Sequence, residues 1–529
     1  MKRSVKALHG GGSICRYVLP ALMSALLIIS ITSCNGTSNP LVSSIEDVVT
    51  RNPQSFDTPS SWGSYGYSLD SCSTTWVSTI HPDLVGDLYV GDLTEEEDPE
   101  FDEYVDTRVT AFVRHTNTTA ETEIEFIMID ADGDTVYTDT FSAGAGPGDA
   151  FCRHPAVEVT YRWDDNEEEE ILQVHIVWAE FTEGIIIDDN WDLYYKTFSY
   201  TVDYDEEIDW DSPDWDPSIV KLPFCTQHDE IQPDIGMLPN TNDLYVIYVY
   251  DPSTGYDRIK SARHESAEMD DPDDWDSTYE VSTSTRSVKW EPCIDGGLFT
   301  YQDSAMHILG SVVAVWCEVI PADYAQSQIF YRDWGSGVTS PSSTVIQLTF
   351  DGEMQNESSI LPTLDITPRS SGVNEAVMGW SMAEWDQEEE EFINYAVKVT
   401  TTPFFTIYGI PSNRYSRCPD IACLQMDDAD EHWFGISYYY TDDLEEDWEV
   451  WIRSISFRPN YESSYTEYEG KYVTYMSSSY NGYWNSANPF TGSTLCLRDP
   501  YVASEQYQVF GLGWIDLGFA PYLTEGTIN

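Results

Sequence analysis

The chain has 529 residues, 92 of them acidic and only 25 basic, for a formal charge of −67. That excess excludes nucleic acid as a partner, because phosphate contacts need Lys and Arg, and it excludes docking on anionic lipid headgroups. With 41% hydrophobic and 14% aromatic residues, there is enough apolar material for a core, which excludes disorder throughout.

At the N-terminus, Lys2, Arg3, Lys6 and Arg16 surround or precede an apolar run from Tyr17 to Ile31. The run is shorter than the roughly 20 residues a membrane-spanning helix needs. It ends in Ile31-Thr32-Ser33-Cys34, which looks like a bacterial lipobox. The expectation is a signal peptide over residues 1–33 and lipidation of Cys34, with ordinary secretory cleavage as the alternative. The protein would then be exported and held at the bacterial cell envelope, at the outer membrane or cell surface, meeting membrane only through its lipid anchor. Residues 34–63, rich in Ser, Asn and Pro, read as a flexible polar tether. Self-repulsion at this charge destabilises a fold unless salt screens it or acid neutralises it, so a saline or an acidic extracellular setting is expected.

From residue 64 to 529 one pattern recurs. Prolines in "HPDLVGDL", "RHPAVEV", "QPDIGM", "EPCIDG", "LPTLDI", "CPDIAC" and "DPYVAS" (Pro82, Pro155, Pro233, Pro292, Pro362, Pro419 and Pro500) precede short strand-like runs. Each is followed by a strongly apolar second run such as "LQVHIVWAEF", "LYVIYVYD", "SVVAVWCEV" or "YQVFGLGWIDL". A third run with a basic residue comes next ("DLYYKTFSY", "DRIKSARH", "QIFYRDW", "VWIRSISF"), then a weak outer strand such as "PSIVKL" or "STYEVST". Four strands per unit at an irregular period read as the blades of an all-β propeller. Seven four-stranded blades are expected, with six as the runner-up. Strands within 64–80 would pair with the C-terminal strands to close the ring and remove exposed edges. Residues 83–150 are the least regular unit and carry the alternative of an immunoglobulin-like insert. Proline, lacking an N–H, is expected at the first residue of each inner strand, and the basic residue of the third strand is expected to reach toward the rim.

In such a ring the strand entrances and the ends of the second strands meet at one mouth of the channel. The entrances offer Arg153, His154, His228, Arg417, Arg498 and Asp499, with His81, Gln232 and Glu291. The second strands offer Glu180, Glu318 and Asp516, each two residues after a tryptophan. Mixed Arg, His and carboxylate there suit an anionic or sugar ligand; the alternative is that these charges pair with one another and only line the rim. The repeated tryptophans are expected between blades. Trp191, Trp215, Trp275 and Trp385 are expected in acidic loops, to stack on sugars or to cover outer strands.

Eight cysteines follow Cys34, an even number suited to disulfides in an exported chain; Cys293 and Cys317, on adjacent strands of one blade, are the expected pair. No Cys-x-x-Cys occurs, so no structural zinc site and no cofactor are expected. "DADGDTVYTD" from Asp130 has Thr135 where a calcium loop needs Gly, which leaves only weak Ca²⁺ binding open.

The order P-x-I, V-x-W, I-x-Y-R/K, acidic-W resembles sialidase-like (BNR-type) propeller proteins at the level of blade pattern. Their Asp-boxes, S-x-D-x-G-x-x-W, are degenerate here: "DSPDWDPS" and "DDPDDWDSTY" lack the glycine. The resemblance implies, for a catalytic member, an arginine triad that binds the substrate carboxylate. Arg153, Arg417 and Arg498 each stand shortly before an inner-strand proline, but no Tyr/Glu nucleophile pair, acid or Arg-Ile-Pro signature aligns. The functional expectation is therefore a monomeric binding lipoprotein for a glycan or protein ligand. A sialidase-like glycoside hydrolase and an envelope scaffold are the rivals.

Overall fold

The computed structural model describes residues 83–85, most of 109–475, and 494–498, 508–515 and 521–528. Every regular element among them is a β-strand. Consecutive strands pair antiparallel, largely in sets of four. The first set is β1 (Asp83–Val85), β2 (Val109–Asn117), β3 (Thr122–Asp130) and β4 (Thr135–Phe141). The second is β5 (Ala150–Asp164), β6 (Glu169–Thr182), β7 (Trp191–Val202) and β8 (Val220–Lys221); one parallel pair, Thr122 with Phe151, joins the two. The third is β9 (Asp229–Leu238), β10 (Asp243–Asp251), β11 (Arg258–His264) and β12 (Tyr279–Glu280), and the fourth is β13 (Val288–Tyr301), β14 (His307–Val319), β15 (Ser327–Gly335) and β16 (Ile346–Gln347). The fifth comprises β17 (Glu357–Ile366), β18 (Ala376–Asp386), β19 (Glu391–Thr401) and β20 (Tyr408–Gly409). The sixth comprises β21 (Tyr415–Cys423), β22 (His432–Thr441), β23 (Glu449–Phe457) and β24 (Tyr465–Glu467), with β25 (Lys471–Tyr475) also on β23. The last is β26 (Thr494–Arg498), β27 (Gln508–Ile515) and β28 (Pro521–Ile528). From β5 onward the first strand of each set touches the first strand of the next, and β1 touches both β5 and β26.

The second strands form because their runs of Val, Ile, Tyr and Trp favour an extended chain buried on both faces. Leu244 to Val249 on β10 and Val312 to Cys317 on β14 are all fully or nearly fully buried. The core is a series of wedges between successive sets rather than one mass. Trp178 packs with β2, β3 and β5 side chains, Trp316 with β9 and β10, and Trp380 with β13 and β14. The tryptophans thus sit between sets, as their repetition implied.

Four expectations are corrected. The prolines do not open their strands. Pro155, Pro233, Pro292, Pro362 and Pro419 lie inside β5, β9, β13, β17 and β21, each where the register with the second strand slips. A proline cannot donate to a ladder, so it is accommodated at a bulge as well as at a strand's start. The residue before it takes the left-handed region at four of these places: φ is 51° at His154, 52° at Gln232, 48° at Glu291 and 52° at Leu361. At the C-terminus the set begins before Pro500, with β26, and includes β28, which the sequence pattern did not suggest.

Three basic residues of the third strands, Lys196, Arg263 and Arg332, do not reach for the rim. Lys196 is buried against Asp216. Arg263 pairs with Asp243, Glu265 and Asp276. Arg332 donates to the carbonyl oxygen of Val281 at 2.6 Å, bridging the fourth set to the third. Carbonyls and carboxylates within reach satisfy these cations where they lie, so the stem has no need to extend.

Cys293 and Cys317 form no disulfide; both remain thiols, as do Cys152, Cys225 and Cys423. The bulge at Pro292 is the reason. Cys317 stands opposite Trp290 and Cys293 opposite Val315, so the two thiols sit on different rungs. Each turns to the next set instead: Cys293 Sγ donates to the carbonyl of Pro362 at 3.1 Å, and Cys317 Sγ to that of Ser359 at 3.3 Å. The signal segment, Cys34, the tether and the closing strands expected within 64–80 lie outside the described residues.

Candidate functional site

The first strands carry a ladder of side chains that accept from the backbone of the next set. Gln232 Oε1 accepts from Glu291 N at 3.0 Å, and Glu291 Oε2 from Leu361 N at 3.0 Å. Asp234 accepts from Ile294 N at 2.7 Å, Asp295 from Ile366 N at 3.0 Å, and Asp365 from Cys423 N at 2.5 Å. These groups keep only part of their surface in solvent, and the lost hydration disfavours the charged forms of the carboxyls. Desolvation pushes the Glu291 carboxyl up to about 8 and that of Asp365 to about 7. Asp295 is raised well above the usual range by the same burial, and further by the negative charges of Asp365 and Glu158.

A second cluster lies at the strand entrances, between the second and third sets. The Arg153 guanidinium stands over the Trp191 ring, 4.9 Å from its centroid, and Phe181 packs on the same indole at 5.6 Å. The Asn190 amide donates to the carbonyls of Thr226 and His228 at 3.1 and 3.0 Å, while Trp191 N donates to Asp229 Oδ1 at 2.9 Å. These bonds bring the start of β7 against the connection before β9. The His228 ring stands edge-on to Tyr250 at 5.5 Å, and Lys260 Nζ lies 3.4 Å from the centroid of Tyr250. Arg153, Trp191, His228, Tyr250 and Lys260 all keep part of their surface in solvent. Two cations over two aromatic faces form a polar and aromatic platform. Behind it, Glu230 is fully buried; burial pushes its carboxyl up to about 7, against hydrogen bonds from Thr226. Asp192, Cys225 and Glu230 are the described residues whose ligand atoms converge closely enough to hold a metal ion.

Of the residues expected from the sequence, the structure brings Arg153 and His228 to this cluster. His154 sits at the bulge between Arg153 and Pro155. Glu180 is fully buried and engaged: its Oε2 accepts from Trp178 Nε1 at 2.9 Å, Ala143 N at 2.9 Å and Cys152 Sγ at 3.4 Å. Glu318 is buried too and accepts from Trp316 Nε1 at 3.4 Å. Residues two apart share a strand face, so tryptophan-x-acid is a local clamp on the indole N–H. Arg417 lies near the start of β21, opposite Tyr439. Arg498 ends β26, opposite Val509, and is thus the last residue of its strand rather than its entrance. Asp499 and Asp516 lie outside the described residues. Tyr250, Lys260 and Glu230 did not stand out in the sequence. The available signal was an aromatic closing one strand and a lysine early in the next, which antiparallel pairing sets close together.

Trp191 opens β7 rather than lying in a loop. Trp275 is buried against Tyr195, His264 and Phe224, in the core cluster between the second and third sets.

No family model matches the chain, and no curated protein does. Solved structures do. A protein of unknown function from Dyadobacter fermentans aligns at 10% identity over 72% of this chain and 95% of its own, with a TM-score of 0.41. The hemagglutinin-neuraminidase of parainfluenza virus 5 aligns at 9% identity over 72% and 90%, with a TM-score of 0.34. The β-propeller domain of the Trilobed protease from Pyrococcus furiosus aligns at 6% identity over 79% and 89%, with a TM-score of 0.28.

Proposed function

We propose that the chain is an envelope lipoprotein, anchored through Cys34, whose propeller of seven blades binds a glycan at the strand-entrance cluster between its second and third blades. Support for the ring is the unbroken succession of contacts between first strands, with β1 meeting both β5 and β26. The observation that carries the ligand is the platform itself. Trp191 and Tyr250 present aromatic rings at one edge of a wedge, with Arg153, His228 and Lys260 around them. Sugar rings use apolar C–H faces and hydroxyls together, which stacking on aromatics and fixed donors can satisfy at once. The rival reading as a sialidase-type hydrolase needs Arg153, Arg417 and Arg498 at one mouth, and the position of Arg498 at its strand's end weighs against that.

Glycan-array binding of the mature protein tests this. Binding of at least one glycan class is expected, weakened tenfold or more, about 1.4 kcal/mol, in Trp191→Ala and Arg153→Ala, and unchanged in Arg498→Ala. Absence of binding to any glycan, or full affinity in both cluster variants, would reject the reading.

A further inference from the structure

We infer that Asp192, Cys225 and Glu230 form a binding site for one divalent cation of the zinc class. The three come from separate segments: Asp192 from β7, Cys225 from the connection after β8, and Glu230 from the start of β9. Each offers a ligand atom, and these atoms all lie within 4.8 Å of one another. Around a tetrahedral zinc with Zn–S of about 2.3 Å and Zn–O of about 2.0–2.2 Å, such atoms sit about 3.5 Å apart, so a contraction of at most about 1.3 Å brings the three to ligand distance, with a water in the fourth position.

A second observation is independent of that spacing. Glu230 is fully buried, and its Oε1 is engaged by Thr226, N at 3.2 Å and Oγ1 at 2.8 Å, while its Oε2 is buried with no hydrogen-bond partner. A buried carboxylate oxygen is expensive to leave without a partner, and a cation between Glu230, Asp192 and Cys225 supplies one. The surroundings already resemble a ligand-supporting shell. Cys225 Sγ accepts from Leu193 N at 3.2 Å, Asp192 Oδ1 accepts from Asn190 Nδ2 at 3.2 Å, and Asp192 Oδ2 is held by Lys221 Nζ at 2.6 Å. Such contacts orient ligands in metal sites. Asp192 keeps its pair with half-exposed Lys221 through one oxygen and turns the other to the cation. A thiolate with two carboxylates selects a borderline ion such as Zn²⁺ over Ca²⁺ or Mg²⁺. The ion would tie the second set to the third immediately behind the aromatic platform.

So acidic a chain collects cations everywhere, so the test must see sulfur. The full chain is stripped with chelator and titrated with Co²⁺. One equivalent is expected to give a thiolate-to-cobalt charge-transfer absorption that Zn²⁺ abolishes. Cys225→Ser should remove that band, and Glu230→Gln should weaken Co²⁺ binding at least tenfold, with far-ultraviolet circular dichroism unchanged. X-ray absorption of the zinc-loaded wild type provides a reading that needs no variant: one sulfur and otherwise oxygen or nitrogen neighbours are expected. No charge-transfer band, a band undiminished in Cys225→Ser, or a shell of several sulfurs overturns the proposal. Glycan binding is read separately, so either idea can fail alone.

Discussion

At Glu291, position within the ladder governs chemistry more than residue type does. Its carboxylate reaches across to the amide of the following set, and enclosure raises its protonation midpoint from the ordinary 4.5 to about 8. Asp365 moves likewise, from 3.8 to about 7. The sign follows from proton counting. Between about pH 4.5 and 8 the unfolded chain has lost these protons while the folded chain keeps them, so stability is fully present at the acid end and is lost as pH rises through 7 to 8. Each group contributes a slope of at most about 1.4 kcal/mol per pH unit. Urea unfolding from pH 5 to 8 should show stability falling, and Glu291→Gln should flatten that fall; an unchanged slope in the variant would remove Glu291 from the account. None of this was legible in the sequence. "EPCID" shows a glutamate before a proline, but only the neighbouring strand reveals which amide it meets.

At the scale of the strand, the proline is the repeat's most visible mark, and its role was half legible. Sequence located five inner strands by it and placed it one structural step wrong. A proline before a ladder and a proline at a bulge look identical in a string of letters, and His154, Gln232, Glu291 and Leu361 contain no glycine to advertise a positive φ. The second strands were easier, because burial on both faces leaves a continuous apolar signature. Close approach between first strands is instead written in glycine. A Cβ on Gly236 would meet Ile294 O at 2.7 Å and Asp295 Cα at 2.8 Å, and one on Gly296 would crowd Met237 and Leu238. Since backbone cannot swing aside as a side chain does, Gly236→Ala and Gly296→Ala should each destabilise by about 1–3 kcal/mol. Leu361→Gly, which relieves a left-handed residue at the cost of one half-buried side chain, should change stability by less than about 1 kcal/mol. Chemical denaturation compares all three; equal losses would mean that strand separation is not limiting.

Across the whole molecule, charge and topology have to be reconciled. With 92 acidic residues against 25 basic, repulsion dominates the charge balance, and three of the described cations, Lys196, Arg263 and Arg332, are drawn inward. Screening shortens the repulsion to roughly 10 Å at 0.1 M salt and about 3 Å at 1 M. The urea midpoint should therefore rise between those concentrations at pH 8, and rise less at pH 5, where the ladder carboxyls hold protons. A midpoint that falls with salt would show that ion pairs outweigh repulsion. The all-β class and the four-strand rhythm were legible because they are repeated many times over. The binding platform was only partly so: Arg153 and His228 declared themselves as charges at strand entrances, whereas Tyr250 and Lys260 are unremarkable until antiparallel pairing sets one above the other.

The five bonds of the first-strand ladder share a sense of direction. In each, the acceptor belongs to the earlier set and the amide to the later: Gln232 to Glu291, Asp234 to Ile294, Glu291 to Leu361, Asp295 to Ile366, Asp365 to Cys423. For the third to sixth sets, a chain emerging from the ribosome therefore completes the accepting half of each ladder bond first. The fourth, fifth and sixth sheets each find these acceptors already displayed by the sheet before them, so docking there can proceed in the same order in which the message is read.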